Sequence, residues 1–389
     1  MPASAPDRDP KPRRLVASNA VFFPMATLYA IVVLPASVLA MLGLAGSLPA
    51  LASASGHGHE MLFGFALAVI VGNQVGPIAV PRLAWLAGLW LAARAMFLYA
   101  PQSIAAAAAN IAFAALLATH FAPRVPGAAK KWRNQALPLV LTAICGCSIA
   151  FELARQAGFA GAEHTLLGVS VLLFAMLLLF MGGRLIGPTV AGEIFRQGGK
   201  LDARVQPGIE GGLIIVMTIA AAALLLASWR PFELLAAAAT AVAGALSALR
   251  LSRWRPWALR ARPDLLCLAA GYGWLALGLL LYAAALGIGR YQAVALHVIT
   301  VGALGTLTLN VMAMTWTLKA RQDPSRARVR VTATVLLGAA VLARVLAGLE
   351  TLDPQTMLVI AAMLWSSAFA LLLALLGHLR RPRRARADA

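Results

Sequence analysis

AVFFPMATLYAIVVLPASVLAMLGLA, residues 20–45, runs without a single charged side chain. A hydrocarbon core about 30 Å thick is crossed by about 20 apolar residues in helical form, because only a helix satisfies its own backbone N–H and C=O groups there. This stretch meets that requirement. Eleven more of the same kind follow it: 58–78, 82–99, 102–122, 135–155, 163–181, 208–228, 231–249, 264–287, 290–318, 331–349 and 355–378. They predict an all-α, polytopic transmembrane helical bundle of about 12 transmembrane helices.

The basic residues test that count. If the N-terminus lies inside and the connections alternate, 28 of the 33 Lys and Arg fall in inside segments. These include Arg8, Lys11, Arg13 and Arg14 at the start and five arginines in 380–386 at the end. Only Arg155, Arg230 and Arg290 fall outside, and Arg94 and Arg344 lie within spans. Losing or adding one span would scramble the alternation, so the pattern predicts cytoplasmic N- and C-termini together with the twelve spans. The chain then divides into a polar cytoplasmic tail (1–19), a single 12-helix transmembrane domain (20–378) and a basic cytoplasmic tail (379–389). The first apolar run lacks a small-residue cleavage site and is read as a retained helix, not a signal peptide.

Composition agrees. With 61% apolar and only 12% charged residues, much of the exterior must face the lipid bilayer. The net charge of +19 comes from short loops with no continuous basic face, so nucleic acid is not expected as a partner. Cys145, Cys147 and Cys267 lie in apolar runs, and no C-x-x-C or C-x-x-C-H spacing is present. P-loop, dinucleotide and G-x-S-x-G signatures are also absent. The residues define no enzymatic class.

The six histidines sort by topology. His120 and His378 sit at inner ends of spans beside basic residues, which is an ordinary interfacial position. His57, His59, His164 and His297 belong to the outer half, and His297 lies about 10 Å below its helix end at 1.5 Å per residue. A histidine at that depth must be hydrogen-bonded or ligated. It either ligates a metal or makes a packing hydrogen bond to Ser or Thr. Arg94 and Arg344 lie at similar height, with Glu60, Glu152 and Glu163 nearby, which predicts an outward-facing polar pocket. His57 and His59 are about 200° apart on an ideal helix and cannot share a face, unless Gly56 and Gly58 make the helix start irregular. Imidazole suits haem iron and copper, and histidines from facing helices can hold a b-type haem inside a bundle. The arginines would serve haem propionates or pair with Glu60, Glu152 or Glu350. Gly64, Ala68, Gly72 and Gly76, with Gly302 and Gly305, form small-residue stripes. Such stripes admit a neighbouring helix or a flat macrocycle.

HGHEMLFGFALAVIVG (57–72) and HVITVGALGTLTLNVMA (297–313) resemble the two signatures of the NnrS family. LWLAAR (89–94), GGRLI (182–186), RWRPW (253–257), GYGW (271–274) and AAVLAR (339–344) add shorter similarities in the same order. The resemblance implies a bacterial inner-membrane, multi-pass protein carrying haem and copper, in the response to nitric oxide and nitrosative stress. It maps the motif histidines onto His57, His59 and His297, as haem or metal ligands, and the motif arginines onto Arg94, Arg184 and Arg344. It also implies nitric oxide or an iron-nitrosyl species as small-molecule ligand and a respiratory redox partner. Three departures stand against the family's pattern, two of them at histidines, and fewer metals would be bound if either missing histidine is a ligand. Ala269 stands where the family shows histidine, TWTLKAR (315–321) lacks a further one, and GPIAVPRLAW (76–85) replaces a Pro-Asn-Trp stretch.

Two other classes of function fit twelve spans. One is a transporter of a metal, haem or small solute, to which outer histidines would give a first binding site. The other is an accessory or assembly factor of a respiratory reductase.

Overall fold

The computed structural model describes residues 15–46, 48–124 and 132–380. It is 84% helical, with twelve helices. They are α1 (Asn19–Met41), α2 (three consecutive pieces, Ala54–His59, Glu60–Ala66 and Leu67–Gln74), α3 (Val80–Tyr99), α4 (Ile104–Phe121), α5 (Trp132–Gln156) and α6 (Ala160–Arg196). The second half comprises α7 (Pro207–Leu225), α8 (Arg230–Trp254), α9 (Pro263–Ile288), α10 (Gln292–His297, Val298–Gly305 and Thr306–Lys319), α11 (Arg328–Gly348) and α12 (Pro354–Arg380). Each coincides with one apolar run of the sequence. Ten are long and apolar enough to cross a membrane, so the chain is a multi-pass membrane protein. α2 and α3 are the other two.

Local chemistry sets the ends. The Ser53 side chain accepts from the Gly56 N–H and starts α2, and Ser103 does the same for α4 with Ala106. Proline in the first turn opens α3, α7, α8 and α9. α2 stops at Gln74 because Gly76 turns left-handed at φ +76°, four residues before the expected boundary of the run.

Two local features depart from the sequence reading. Leu15–Ala17, placed in the polar tail, is a strand (β1) that pairs antiparallel with Pro77–Ala79 (β2), Val16 opposite Ile78. α6 extends well beyond the expected end at 181, to Arg196. Glycines make this extension possible. A Cβ on Gly182 would stand 2.5 Å from the Tyr272 ring, one on Gly183 2.0 Å from the Arg250 guanidinium, and one on Gly187 2.9 Å from the Trp254 indole nitrogen. Side chains of α8 and α9 therefore lie directly on the α6 backbone.

α2, α6 and α10 form the centre. Every residue from Leu62 to Gly72 is buried. The apolar windows of α6 and α10 are 72% buried, against 28% for α12. α1 packs on α12, where Trp365 donates to the Ala30 carbonyl (3.1 Å) and Ser366 to that of Ile31 (2.9 Å). This joins the first helix to the last. The outermost helices keep Leu28, Leu91, Val335 and Met363 exposed, as lipid-facing positions require.

Gly72 has Phe23 lying over it, and a Cβ there would stand 2.5 Å from that ring. Gly72→Val is expected to destabilise the protein by about 1–3 kcal/mol, read as lower thermal stability in detergent. Gly88→Val, where a Cβ meets nothing within 4 Å, serves as the neutral comparison.

Candidate functional site

Two polar clusters form at the end of the bundle opposite β1 and β2, and α2 contributes to both. Its first turn carries His57 and His59, whose 200° separation sends them to different neighbours.

His57 faces α10. Its ring lies 6.2 Å from that of His297, centroid to centroid, with only 19° between the planes. The hydrogen bonds set the tautomers. Ser37 donates its single hydroxyl proton to the Leu51 carbonyl (3.2 Å). It must therefore accept at 3.0 Å from His57 Nδ1–H. The Ala293 carbonyl can only accept, so His297 Nδ1 carries a proton as well (2.6 Å). Both rings therefore keep Nε2 unprotonated and free to bind a metal. Arg344 lies beside this pair. Its guanidinium comes within 3.2 Å of the Cβ position at Gly348, in the same gap as Val294, one turn before His297.

His59 is fully buried and faces the other way. It stacks on Phe97 (3.8 Å, 18°) and touches Phe151 and Phe63. Its Nδ1 is hydrogen-bonded to Glu60 Oε1 at 3.0 Å and its Nε2 lies 2.7 Å from Glu152 Oε1, so both nitrogens face carboxylates. Arg94 donates to Glu60 at 2.7 Å and also to the Asn110 amide oxygen. Tyr29 donates to the second Glu60 oxygen. Alongside, Arg155 donates to Glu163 (2.9 Å) and Ser55 (2.8 Å), with its guanidinium over Phe97 and Phe151. Glu60 and Glu152 are 0% exposed and Arg94 is 3% exposed. The cluster is an ion-paired seam joining α1 through α6.

Of the six motif residues mapped in the sequence, the structure thus brings His57, His297 and Arg344 together, while Arg184 lies further along α6 with its guanidinium over the Phe180 ring (4.4 Å). His59 and Arg94 stand in the neighbouring seam. Among the described residues, no three His, Cys, Asp or Glu side chains are arranged to hold a metal ion. The glycine stripes are filled by side chains: Tyr29 and Arg94 at Gly64, Phe23 at Gly72, Trp274 at Gly302 and Trp365 at Gly305. At these four glycines they serve helix packing, whereas a Cβ on Gly76 would meet nothing within 4 Å. Ser37, Tyr29 and Asn110 escaped sequence reading, since one Ser, Tyr or Asn in an apolar run looks like any other.

Both signature stretches share a further local feature. Glu60–Ala66 and Val298–Gly305 are π-helical, beginning directly after His59 and His297. π segments are rare and concentrate at functional sites.

These features define a multi-pass α-helical membrane protein with a facing histidine pair near one end of its bundle. The NnrS protein family matches residues 20–383, and the chain belongs to that family. No curated protein and no solved structure matches it.

Breaking the seam on one side leaves a buried charge. Arg94→Ala is expected to cost about 3–5 kcal/mol, whereas Arg94→Met combined with Glu60→Met should recover most of the loss. Thermal unfolding of the two variants in detergent checks this, and equal losses in both would contradict it.

Proposed function

We propose that this chain is a haem-binding protein of the bacterial inner membrane acting in the response to nitric oxide, with His57 and His297 holding the iron. The observation that supports the reading most is the facing pair with both Nε2 atoms free. An imidazole nitrogen binds a metal at about 2.0–2.1 Å, and the ring centre lies about 1.1 Å further on. The two rings, 6.2 Å apart between centroids, are close enough for both imidazoles to reach one metal atom. The residues fit a metal held between two helices. Arg344 supplies a cation beside it for an anionic edge such as a haem propionate. Bound there, iron would supply one-electron chemistry. Copper, which also takes imidazole, is the alternative metal for the same pair. His59, with carboxylates at both nitrogens, acts in this reading as a positioning residue, and Arg94 as its partner through Glu60. A respiratory redox partner would supply the electrons.

The same proposal places all twelve helices across the membrane with both termini in the cytoplasm. The support is the 28-to-3 division of basic residues, together with the twelve helices that match the twelve apolar runs. Reporter fusions after Arg380 are expected to be active only as cytoplasmic reporters. Fusions at Phe159, Trp229 or Leu352 are expected to be active only as periplasmic ones.

The purified protein, oxidised and reduced, is expected to show a b-type absorption spectrum and a positive pyridine haemochrome. His57→Ala and His297→Ala should each abolish or strongly shift the Soret band, and His59→Ala should leave its position unchanged. A colourless protein obtained with ample haem supply would exclude haem, and metal analysis of the same sample would then decide for or against copper.

A further inference from the structure

The centre of the bundle is not completely filled. Between α2, α6, α9 and α10 lies a cavity of about 60 Å³. It begins where the two π-helical segments end, at Ala66 on α2 and Leu304 on α10, and Phe174 and Leu178 wall it on the α6 side. All four residues are buried. Protein interiors leave few voids larger than a water molecule, so a space of this size among the three central helices has to be explained.

The lining excludes most occupants. No charged side chain faces the cavity. The Thr308 hydroxyl gives its proton to the Leu304 carbonyl at 2.6 Å, and Asn73 and Gln74 stand at the exposed rim. A buried water needs two to four polar partners, and the deep part offers only the Thr308 oxygen. Ions and polar solutes would enter with their own groups unpaired. Size decides among the apolar molecules. A cavity of about 150 Å³ with this kind of lining holds benzene or xenon. In proportion, the present one takes about two or three heavy atoms, and a hydrocarbon chain does not fit. The rim is spanned by the Gln74 amide, which donates to the Met181 sulfur at 3.7 Å and ties α2 to α6. Both side chains are long and flexible, so a molecule this small passes when they part.

We infer that this cavity binds an uncharged diatomic gas, held by dispersion contacts with Ala66, Phe174, Leu178 and Leu304. The gas invoked by the proposed function belongs to this class, but the inference rests on the cavity alone. Two atoms in contact limit the affinity to millimolar or weaker. The site is therefore a holding place that exchanges with gas dissolved in the bilayer.

The test uses xenon as the probe, on the full chain in nanodiscs with isotope-labelled alanine and methionine methyl groups observed by NMR. As xenon pressure rises, the Ala66 and Met181 signals are expected to shift and then saturate. That of lipid-facing Met363 should shift only in proportion to pressure. Ala66→Leu fills the cavity and should abolish the saturating shift at Met181. Leu304→Ala enlarges it and should bring saturation at lower pressure, which keeps the test decisive if Ala66→Leu fails to fold. Purely proportional shifts at Ala66 and Met181 would overturn the inference, as would a saturating shift at Met181 that survives Ala66→Leu. So would nuclear Overhauser contacts from the Ala66 methyl to lipid acyl chains or to water, since the cavity would then already be occupied. His57→Ala removes a ligand of the proposed metal and should leave the xenon response unchanged, so the two readings fail separately.

Discussion

A charge buried in a membrane protein must be neutralised where it stands, and the arrangement around Glu60 follows from that requirement. Its carboxylate is 0% exposed and takes donors from Tyr29 on α1 and Arg94 on α3, while Asn110 on α4 holds the same guanidinium. Four helices are therefore joined by one ion pair, and His59 with Glu152 extends the connection to α5. Such a pair adds little net stability, because desolvation offsets most of its attraction. What it does is specify. No other rotation of α2 satisfies Glu60, and the residues that follow must pack accordingly.

That rotation also aims the candidate ligand. Because His57 and His59 lie about 200° apart on the helix, holding one among Phe97, Phe151 and Glu152 directs the other towards α10. The hydrogen bond from His57 to Ser37 on α1 then fixes the ring and its tautomer, and Ala293 does the same for His297. The positioning of the pair thus depends on residues that touch no candidate ligand.

The fold was largely legible in the sequence because one simple signal sets it: the length of the apolar runs. It acts residue by residue and needs no knowledge of neighbours. Where a neighbour decides, the reading gave less. α6 continues past Met181 because Tyr272, Arg250 and Trp254 lie on its glycines, and nothing within residues 182–196 announces those partners. Leu15–Ala17 forms a strand only because Pro77–Ala79 is there to pair with it. For the site, the residue types that gather at one end of the bundle were readable. The separation of His57 from His59 followed from helical geometry alone. Which histidine would meet His297 did not, since it depends on Glu60 finding Arg94 across two helices.

α2 and α10 each carry a histidine near one end, followed directly by a π-helical segment. π turns make poorer backbone geometry than α turns, so seven or eight consecutive π residues persist only where packing over-determines them. Here the packing is visible. Tyr29 and Arg94 press on Gly64 in one segment, and Trp274 and Trp365 press on Gly302 and Gly305 in the other. The glycines of the two signature stretches thus act on the histidines through the backbone: they admit the large side chains that hold the segments in π form. The length of each segment then sets how far along the bundle its histidine stands. Two helices with this same device, brought together at one end, place two imidazoles 6.2 Å apart, without either histidine needing to be drawn into position by a ligand.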